Sequence, residues 1–284
     1  MAVKLDGKKL SIKLANDLQA DISSLKSQGI VPKLAVILVG DNQASRVYVR
    51  NKHRMAEKIG LESLDLRLSK DISEAELLEK IASLNNDSTI NGILVQLPLP
   101  DQINADRITK AISPKKDVDG FHPYNLGRLF VNDPYAIPCT PNGIMYLLKS
   151  YGISVDGKNV VIVGRSKIVG RPLAALMLNQ SATVTVAHSH TKNLSEITRQ
   201  ADVLVAAVGR ANFIQAKDVK PGAIVIDVGI NRNAAGKLVG DVAQTEVAPI
   251  AGYLTPVPGG VGPMTIAMLM KQTVEFAKWS KQKK

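Results

Sequence analysis

The sequence predicts an α/β chain of two domains, each built on parallel strands with helices packed on both faces. Three observations carry that prediction. With 284 residues, 45% of them hydrophobic, the chain is long enough to bury two ordinary cores and short for three. Short apolar runs of strand length alternate with runs of helical period, which is the βαβ rhythm of a parallel sheet. The rhythm breaks once, across residues 113–141 with five prolines, and then restarts. The break places a boundary near residues 138–150. One domain is expected over 1–140, completed by a C-terminal helix at 265–284, and the other over 141–264.

The elements run in order. Leu10, Leu14, Leu18, Ile22 and Leu25 recur at helical spacing, and Gly29 ends that helix. Residues 34–39 read as a buried strand with Gly40-Asp41-Asn42 as its turn. A helix is expected from 44 to 59, stopped by Gly60, and a second from 73 to 84 between strands at 63–68 and 92–97. Beyond the turn-rich stretch come a helix at 142–150, a strand at 159–164 and a helix at 172–179. Strands at 183–187, 203–208 and 223–228 continue the pattern, and the last helix covers 265–279.

Composition narrows the class of function. The single cysteine, Cys139, rules out an internal disulfide and fits a reducing compartment; with no helix start or base evident beside it, it reads as structural. The N-terminal segment alternates charge with apolar residues, so no signal peptide is expected, and no apolar run is long enough to span a bilayer. A cytoplasmic protein without membrane partners is the expectation. The net charge of +11 attracts anions, but it is spread along the chain apart from Lys278, Lys281, Lys283 and Lys284. With 4% aromatics, stacking surfaces for bases are scarce, so small anionic ligands are expected and nucleic acid is not. The four histidines have no companions at metal-ligand spacing, and no metal is expected.

Residues 160–172 read as a strand, a turn and a helix start. Gly164 permits the turn, Gly170 lets backbone approach a ligand, and Pro172 suits the first helical turn. Free N–H groups there favour an anion such as a dinucleotide pyrophosphate. Ser166 stands where the usual glycine fingerprint has its second glycine, so an ordinary strand-to-helix turn stays open. The strand at 183–187 runs into His188-Ser189-His190-Thr191 with no acid to bind a 2′-hydroxyl. Ser189 as donor and Arg165 as counter-charge favour NADP over NAD.

Tyr48 and Lys52 are four residues apart and share a helix face. Val49 and Ala56 beside that face would desolvate Lys52 and lower its pKa toward general acid–base use. From spacing alone, a solvated surface lysine remains the common reading.

Several segments occur together in one order: Tyr48-x-x-x-Lys52, GILVQLPLP at 92–100, KDVDGFH at 116–122, PCTP at 138–141, the loop at 164–172, and PGGVGPMT at 258–265. In this the chain closely resembles, end to end, the bifunctional methylenetetrahydrofolate dehydrogenase/methenyltetrahydrofolate cyclohydrolase family. The resemblance implies a Rossmann-like NADP-binding domain at the C-terminal side, a substrate cleft between the domains and a homodimer. It implies that Lys52 is the catalytic lysine, that Gln96 tunes it, that Tyr48 packs on the folate ring and that Asp119 grips the amino-pyrimidine edge. Leu97 and the Pro258-Gly259-Gly260 turn are implied to line the folate. Gly164, Arg165, Ser166, Gly170, Pro172, Ser189 and Ile230 are implied to hold NADP. The rival is another two-domain dehydrogenase, acting on a small hydroxy acid, which would need the same phosphate loop but not the Tyr48, Lys52, Gln96 and Asp119 set.

Overall fold

The structure is a computed structural model that describes residues 1–281. Of the basic tail, Lys283 and Lys284 therefore lie outside the described residues. In chain order the elements are β1 (Val3–Lys4), α1 (Gly7–Ser27), β2 (Lys33–Val39), α2 (Gln43–Ile59), β3 (Glu62–Leu68), α3 (Glu74–Asn86) and β4 (Gly92–Val95). Next come α4 (Ala105–Ala111), α5 (Pro123–Phe130), α6 (Cys139–Ser150), β5 (Asn159–Val163), α7 (Gly170–Asn179) and β6 (Thr183–Ala187). The remainder is α8 (Leu194–Thr198), β7 (Val203–Ala206), β8 (Ile224–Asp227), β9 (Asn231–Arg232), β10 (Leu238–Val239), α9 (Gln244–Val247), β11 (Tyr253–Leu254) and α10 (Val261–Lys281).

The chain divides into two compact units. One comprises Ile12–Cys139 with the chain from Ile266 onward; the other comprises Met1–Ser11 with Thr140–Thr265. A domain over 1–140 would put the first eleven residues in the first unit, but they cluster with the second. The reason is backbone pairing: Val3 and Lys4 lie parallel to Tyr253 and Leu254.

The first unit holds a three-stranded parallel sheet in the order β3-β2-β4. Its central strand β2, sequence KLAVILV, is buried from its second residue on, as a parallel strand covered on both faces must be. Ala35, Ile37 and Val39 of β2 pack with Leu77 and Ile81 of α3 and with Ile93 and Val95 of β4. Two caps set the limits of α2. The Asn42 side chain accepts from the Ser45 N–H, and Gly60, at φ 78°, takes the left-handed conformation and donates to the carbonyls of Ala56 and Glu57. The helix thus starts one residue before the expected position.

The second unit holds a six-stranded sheet in the order β1-β11-β8-β7-β5-β6, parallel throughout. β5, β7 and β8 form its apolar centre, and β6 stands at an edge.

Several boundaries differ from the sequence expectations, each for a visible reason. β4 ends at Val95 rather than 97: the Gln96 N–H still donates to the Ile37 carbonyl, but Pro98 has no N–H with which to continue the ladder. β7 ends at Ala206 rather than 208, because the Val208 N–H is taken by the Asp241 carboxylate at 2.6 Å. α6 begins at Cys139 and α10 at Val261, three and four residues earlier than expected; both contain a proline close to the start, where no intrahelical N–H is needed.

Candidate active site and phosphate loop

In the first unit the structure brings Lys52, in the middle of α2, together with Gln96 and Leu97, just past β4, and with Asp119, while Tyr48 precedes Lys52 on the helix. Tyr48 and Lys52 follow one another by a turn of α2. Tyr48 is half-buried, and burial raises its phenol above the usual range. Lys52 is only 8% exposed, so the solvated-lysine reading does not hold. Its Nζ donates to Gln96 Oε1 at 2.9 Å, while Gln96 Nε2 donates to the Leu97 carbonyl at 2.7 Å. The second bond decides which end of the amide meets the lysine. Burial holds the Lys52 ammonium below its ordinary range, against the opposing pull of Asp119 and Cys139.

Asp119 comes from the KDVDGFH loop, and a neighbour shapes that loop. Asp117, 1% exposed, accepts the N–H groups of Gly120, Phe121 and His122 and the side-chain amide of Asn125. Gly120 sits at φ 73°, and a Cβ there would come within 2.6 Å of the Ile137–Pro138 backbone, so only glycine closes the turn. Asp119 itself accepts no hydrogen bond from the described residues. Burial pushes its carboxyl up to about 6, with Lys52 opposing and Asp117 adding to the rise.

Cys139 corrects an expectation. A helix start does stand at it, and Lys52 and Asp119 are close enough to bear on its thiol. Burial pushes that thiol well above the ordinary range, and Sγ donates to the Val118 carbonyl at 3.2 Å. The thiol stays protonated and ties Cys139 to the segment just before Asp119. Asp117 is the residue the sequence reading passed over; its signal was a second acid in KDVDG flanked by turn formers.

In the second unit the loop from β5 to α7 has the expected strand–turn–helix form, with two corrections. The N–H groups at the helix start are not all free: those of Val169 and Gly170 reach Ser166 Oγ at 3.1 and 3.4 Å, and that of Arg171 reaches the Ser166 carbonyl. Gly170 is required by packing within the loop, since a Cβ there would lie 2.0 Å from the Gly164 carbonyl. Gly164, at φ 129°, is pressed against Ala207 in the same way. Arg165 to Ile168 are left exposed between these two fixed points, and Pro172 is buried in the first turn of α7.

Ser189 is exposed just past the end of β6. Beside it, desolvation and then the nearby Arg165 and His190 lower the pKa of His188, so the Arg165 charge does reach the β6 end. Ile230, 49% exposed, follows Gly229 after β8. Pro258, Gly259 and Gly260 belong to this second unit. There the Gly259 carbonyl accepts from the Lys8 N–H at 2.8 Å, and a Cβ on Gly260 would meet the Pro256 carbonyl at 2.6 Å.

The sequence reading also missed a pair of buried acids behind the second unit's loops. Asp241 accepts from the N–H groups of Val208, Gly209 and Arg210 and from the Asn231 amide, joining the loop after β7 to the start of β9. Asp227 accepts from Gly229, Asp241, Val242 and the Gln244 side chain. A Cβ on Gly240 would collide with Asp227 at 1.7 Å.

Comparison with known proteins covers both units. Residues 5–119 match the family profile described as tetrahydrofolate dehydrogenase/cyclohydrolase, catalytic domain. Residues 138–281 match the NAD(P)-binding domain of the same family. The chain is 59% identical to a "Bifunctional protein FolD" of Ligilactobacillus salivarius, over 99% of this chain and 98% of that protein. Among solved structures, it is similar to the bifunctional methylenetetrahydrofolate dehydrogenase/cyclohydrolase of Campylobacter jejuni, at 52% identity and a TM-score of 0.97, covering 98% of this chain and 99% of that one. It is also similar to the Trypanosoma brucei enzyme complexed with NADP and an inhibitor, at 36% identity and a TM-score of 0.95, covering 99% of each chain.

Proposed function

The chain belongs to the tetrahydrofolate dehydrogenase/cyclohydrolase family, and from that premise we propose that it oxidises 5,10-methylenetetrahydrofolate with NADP and then hydrolyses the methenyl product to 10-formyltetrahydrofolate. The observation that carries the reading is the buried Lys52–Gln96 pair, with the unbonded Asp119 carboxylate bearing on the same lysine. A small hydroxy acid is set aside as substrate, because the family match extends over the catalytic domain as well as the NAD(P)-binding one.

Each residue has a task its chemistry suits. Asp119 accepts two hydrogen bonds from the amino-pyrimidine edge of the pterin and fixes its orientation. Tyr48 packs on the folate ring, with Leu97 beside it. Orientation of the bridge carbon supplies much of the rate of hydride removal. In the second step water adds to the methenyl carbon, and Lys52 takes the first of the two protons that this oxygen sheds. The oxygen then gives up its second proton as its bond to carbon becomes a carbonyl, the bond from that carbon to N5 breaks, N5 takes up that proton, and the formyl group stays on N10. Burial suits Lys52 to the work by raising its neutral fraction, and Gln96 Oε1 keeps the amine aimed at the reacting carbon.

The residues of the second unit fit NADP. The exposed segment from Arg165 to Ile168 lies between glycines packed on backbone, and Arg165 reaches a β6 end that carries Ser189 and no acid. Gly164, Arg165, Ser166, Gly170 and Pro172 would hold the phosphates, Ser189 the 2′-phosphate, and Ile230 the nicotinamide end. NADP, when bound, supplies the hydride acceptor.

A homodimer is supported by the unpaired outer edge of β6, a row of open backbone donors and acceptors that a second copy can cover. A cytoplasmic location is supported by the lone reduced cysteine. Among the described residues no helix is long and apolar enough to cross a membrane.

The test is a spectroscopic assay of purified protein with methylenetetrahydrofolate, offering NADP and NAD separately. Methenyl product and reduced nicotinamide should form with NADP. Silence with both cofactors, from folded protein, overturns the reading.

A further inference from the structure

Helix α2 carries chemistry on two sides. Lys52 is buried, whereas Arg50, two residues away and so about 200° around the helix axis, is exposed. On that outer side Arg46, Arg50 and His53 of α2 meet Asp65 and Arg67 of the edge strand β3. Together they line a cavity of about 680 Å³ within the first unit, with the buried Val49 in its wall.

Three guanidinium groups from two elements thus share one cavity with one carboxylate. That carboxylate is turned away from the arginines: Asp65 Oδ1 accepts from Ser63 Oγ at 2.6 Å, and Oδ2 lies 3.0 Å from His53 Nδ1. Arg46 reaches only Asp41, at 3.6 Å and largely in solvent. The Arg50 and Arg67 guanidinium groups form no ion pair or hydrogen bond with the described residues. His53 Nε2 pairs with Glu57, while Nδ1, though buried, is out of line for a hydrogen bond.

Like charges gathered around a partly enclosed space repel one another and draw counter-ions in. Guanidinium forks match phosphoryl and carboxylate oxygens in pairs. Arg46 and Arg50, one helical turn apart along α2, and Arg67 on β3 face the cavity from two elements, so they can hold more than one anionic group at once.

We propose that the cavity between α2 and β3 binds a small polyanion bearing at least two phosphoryl or carboxylate groups. None of the residues lining the site belongs to the folate-binding cluster around Lys52, so it is distinct from that cluster and does not depend on the reaction proposed above. Its occupant would brace the helix that holds Tyr48 and Lys52.

The experiment is a calorimetric titration of inorganic pyrophosphate, and separately of citrate, into protein already saturated with NADP, which keeps the phosphate loop occupied. One anion per chain is expected to bind. Its affinity should fall at least tenfold in the Arg50→Ala/Arg67→Ala variant, with NADP affinity unchanged. Both arginines are exposed, so the melting temperature should hold. Tighter binding of pyrophosphate assigns phosphoryl chemistry to the site, and tighter binding of citrate assigns carboxylate chemistry. In wild-type protein, amide resonances of Arg50, His53 and Arg67 should shift as the anion is added, a readout that needs no variant. Equal affinity in wild type and variant, shifts confined to other segments, or no binding at millimolar anion overturns the proposal.

Discussion

Asp119 in the first unit and Asp227 in the second are both pushed up to about 6 by burial, and by different surroundings. Asp227 accepts three backbone N–H groups, at 2.8 to 3.1 Å, and the Gln244 amide at 3.2 Å. Those donors resist the rise that burial causes. Asp119 receives no such donor; the Lys52 ammonium alone opposes its burial, and Asp117 adds to it. A shared pKa therefore separates nothing. What separates the two is whether the lone pairs are already spent: Asp227 has given its oxygens to the fold, and Asp119 keeps its own for a ligand.

The largest break in this comparison comes from Lys52. Methionine in its place keeps length and apolar fit while removing the proton acceptor. Lys52→Met should lower methenyl hydrolysis about 10³-fold, roughly 4 kcal/mol of transition-state stabilisation, with hydride transfer losing far less. Stopped assays of the two steps on one preparation measure both. Full hydrolysis in the variant would remove Lys52 from the mechanism.

Asp119→Asn comes next. It keeps shape but replaces one acceptor by a donor, so the KM for folate should rise about 100-fold, in line with hydrogen bonds to a charged partner. The pH profile sharpens the point. Below about 6 the Asp119 carboxyl is protonated and cannot accept two hydrogen bonds, so kcat/KM should fall as pH drops through that value. The inflection should vanish in Asp119→Asn. If it persists, another group sets it.

The contrast between these acids was only half legible in the sequence. The strand and helix succession could be read because buried parallel strands such as KLAVILV are continuously apolar and α2 is closed by Asn42 and Gly60. The Tyr48 and Lys52 face followed from helical spacing. Asp117 left only a faint signal, the second acid in KDVDG, and Asp241 left none, because most of their partners are backbone N–H groups that carry no sequence signature. The lysine's burial was equally hidden, since it depends on Gln96, just past β4, and the Asp119 loop coming to Lys52 from distant parts of the chain. The phosphate loop misled in one respect: its glycines are demanded by Ala207 and by each other, contacts that only the fold creates.

Asp227→Asn tests the other half of the comparison. An amide NH₂ would face backbone donors, and unfolding free energy should drop by about 2 kcal/mol. The sign with pH follows from linkage. The folded-state pKa of about 6 exceeds the ordinary 3.8, so the stability this carboxyl contributes is full below 3.8 and is lost as pH rises to about 6. The penalty of Asp227→Asn should therefore shrink across that window, as followed by urea unfolding. Its kcat/KM profile should retain the inflection near 6, because Asp227 does not meet the substrate. Loss of that inflection would mean that the saturated carboxylate also governs binding, and the distinction between the two acids would fail.

The smallest expected effect lies in the choice of cofactor. Arg165 is exposed, yet its charge reaches His188 at the end of β6, where Ser189 stands and an acid is absent. An exposed guanidinium is screened by solvent, so its hold on a phosphate is modest. Arg165→Ala should raise the KM for NADP about tenfold and leave that for NAD nearly unchanged, because only NADP carries the 2′-phosphate. Ser189→Asp should push the same way by setting a carboxylate against that phosphate and offering it to a 2′-hydroxyl instead. An equal loss for both cofactors in Arg165→Ala would instead place the guanidinium on the pyrophosphate they share. The discrimination would then rest on Ser189 and the absent acid, and the positive charge in the loop would serve affinity without serving choice.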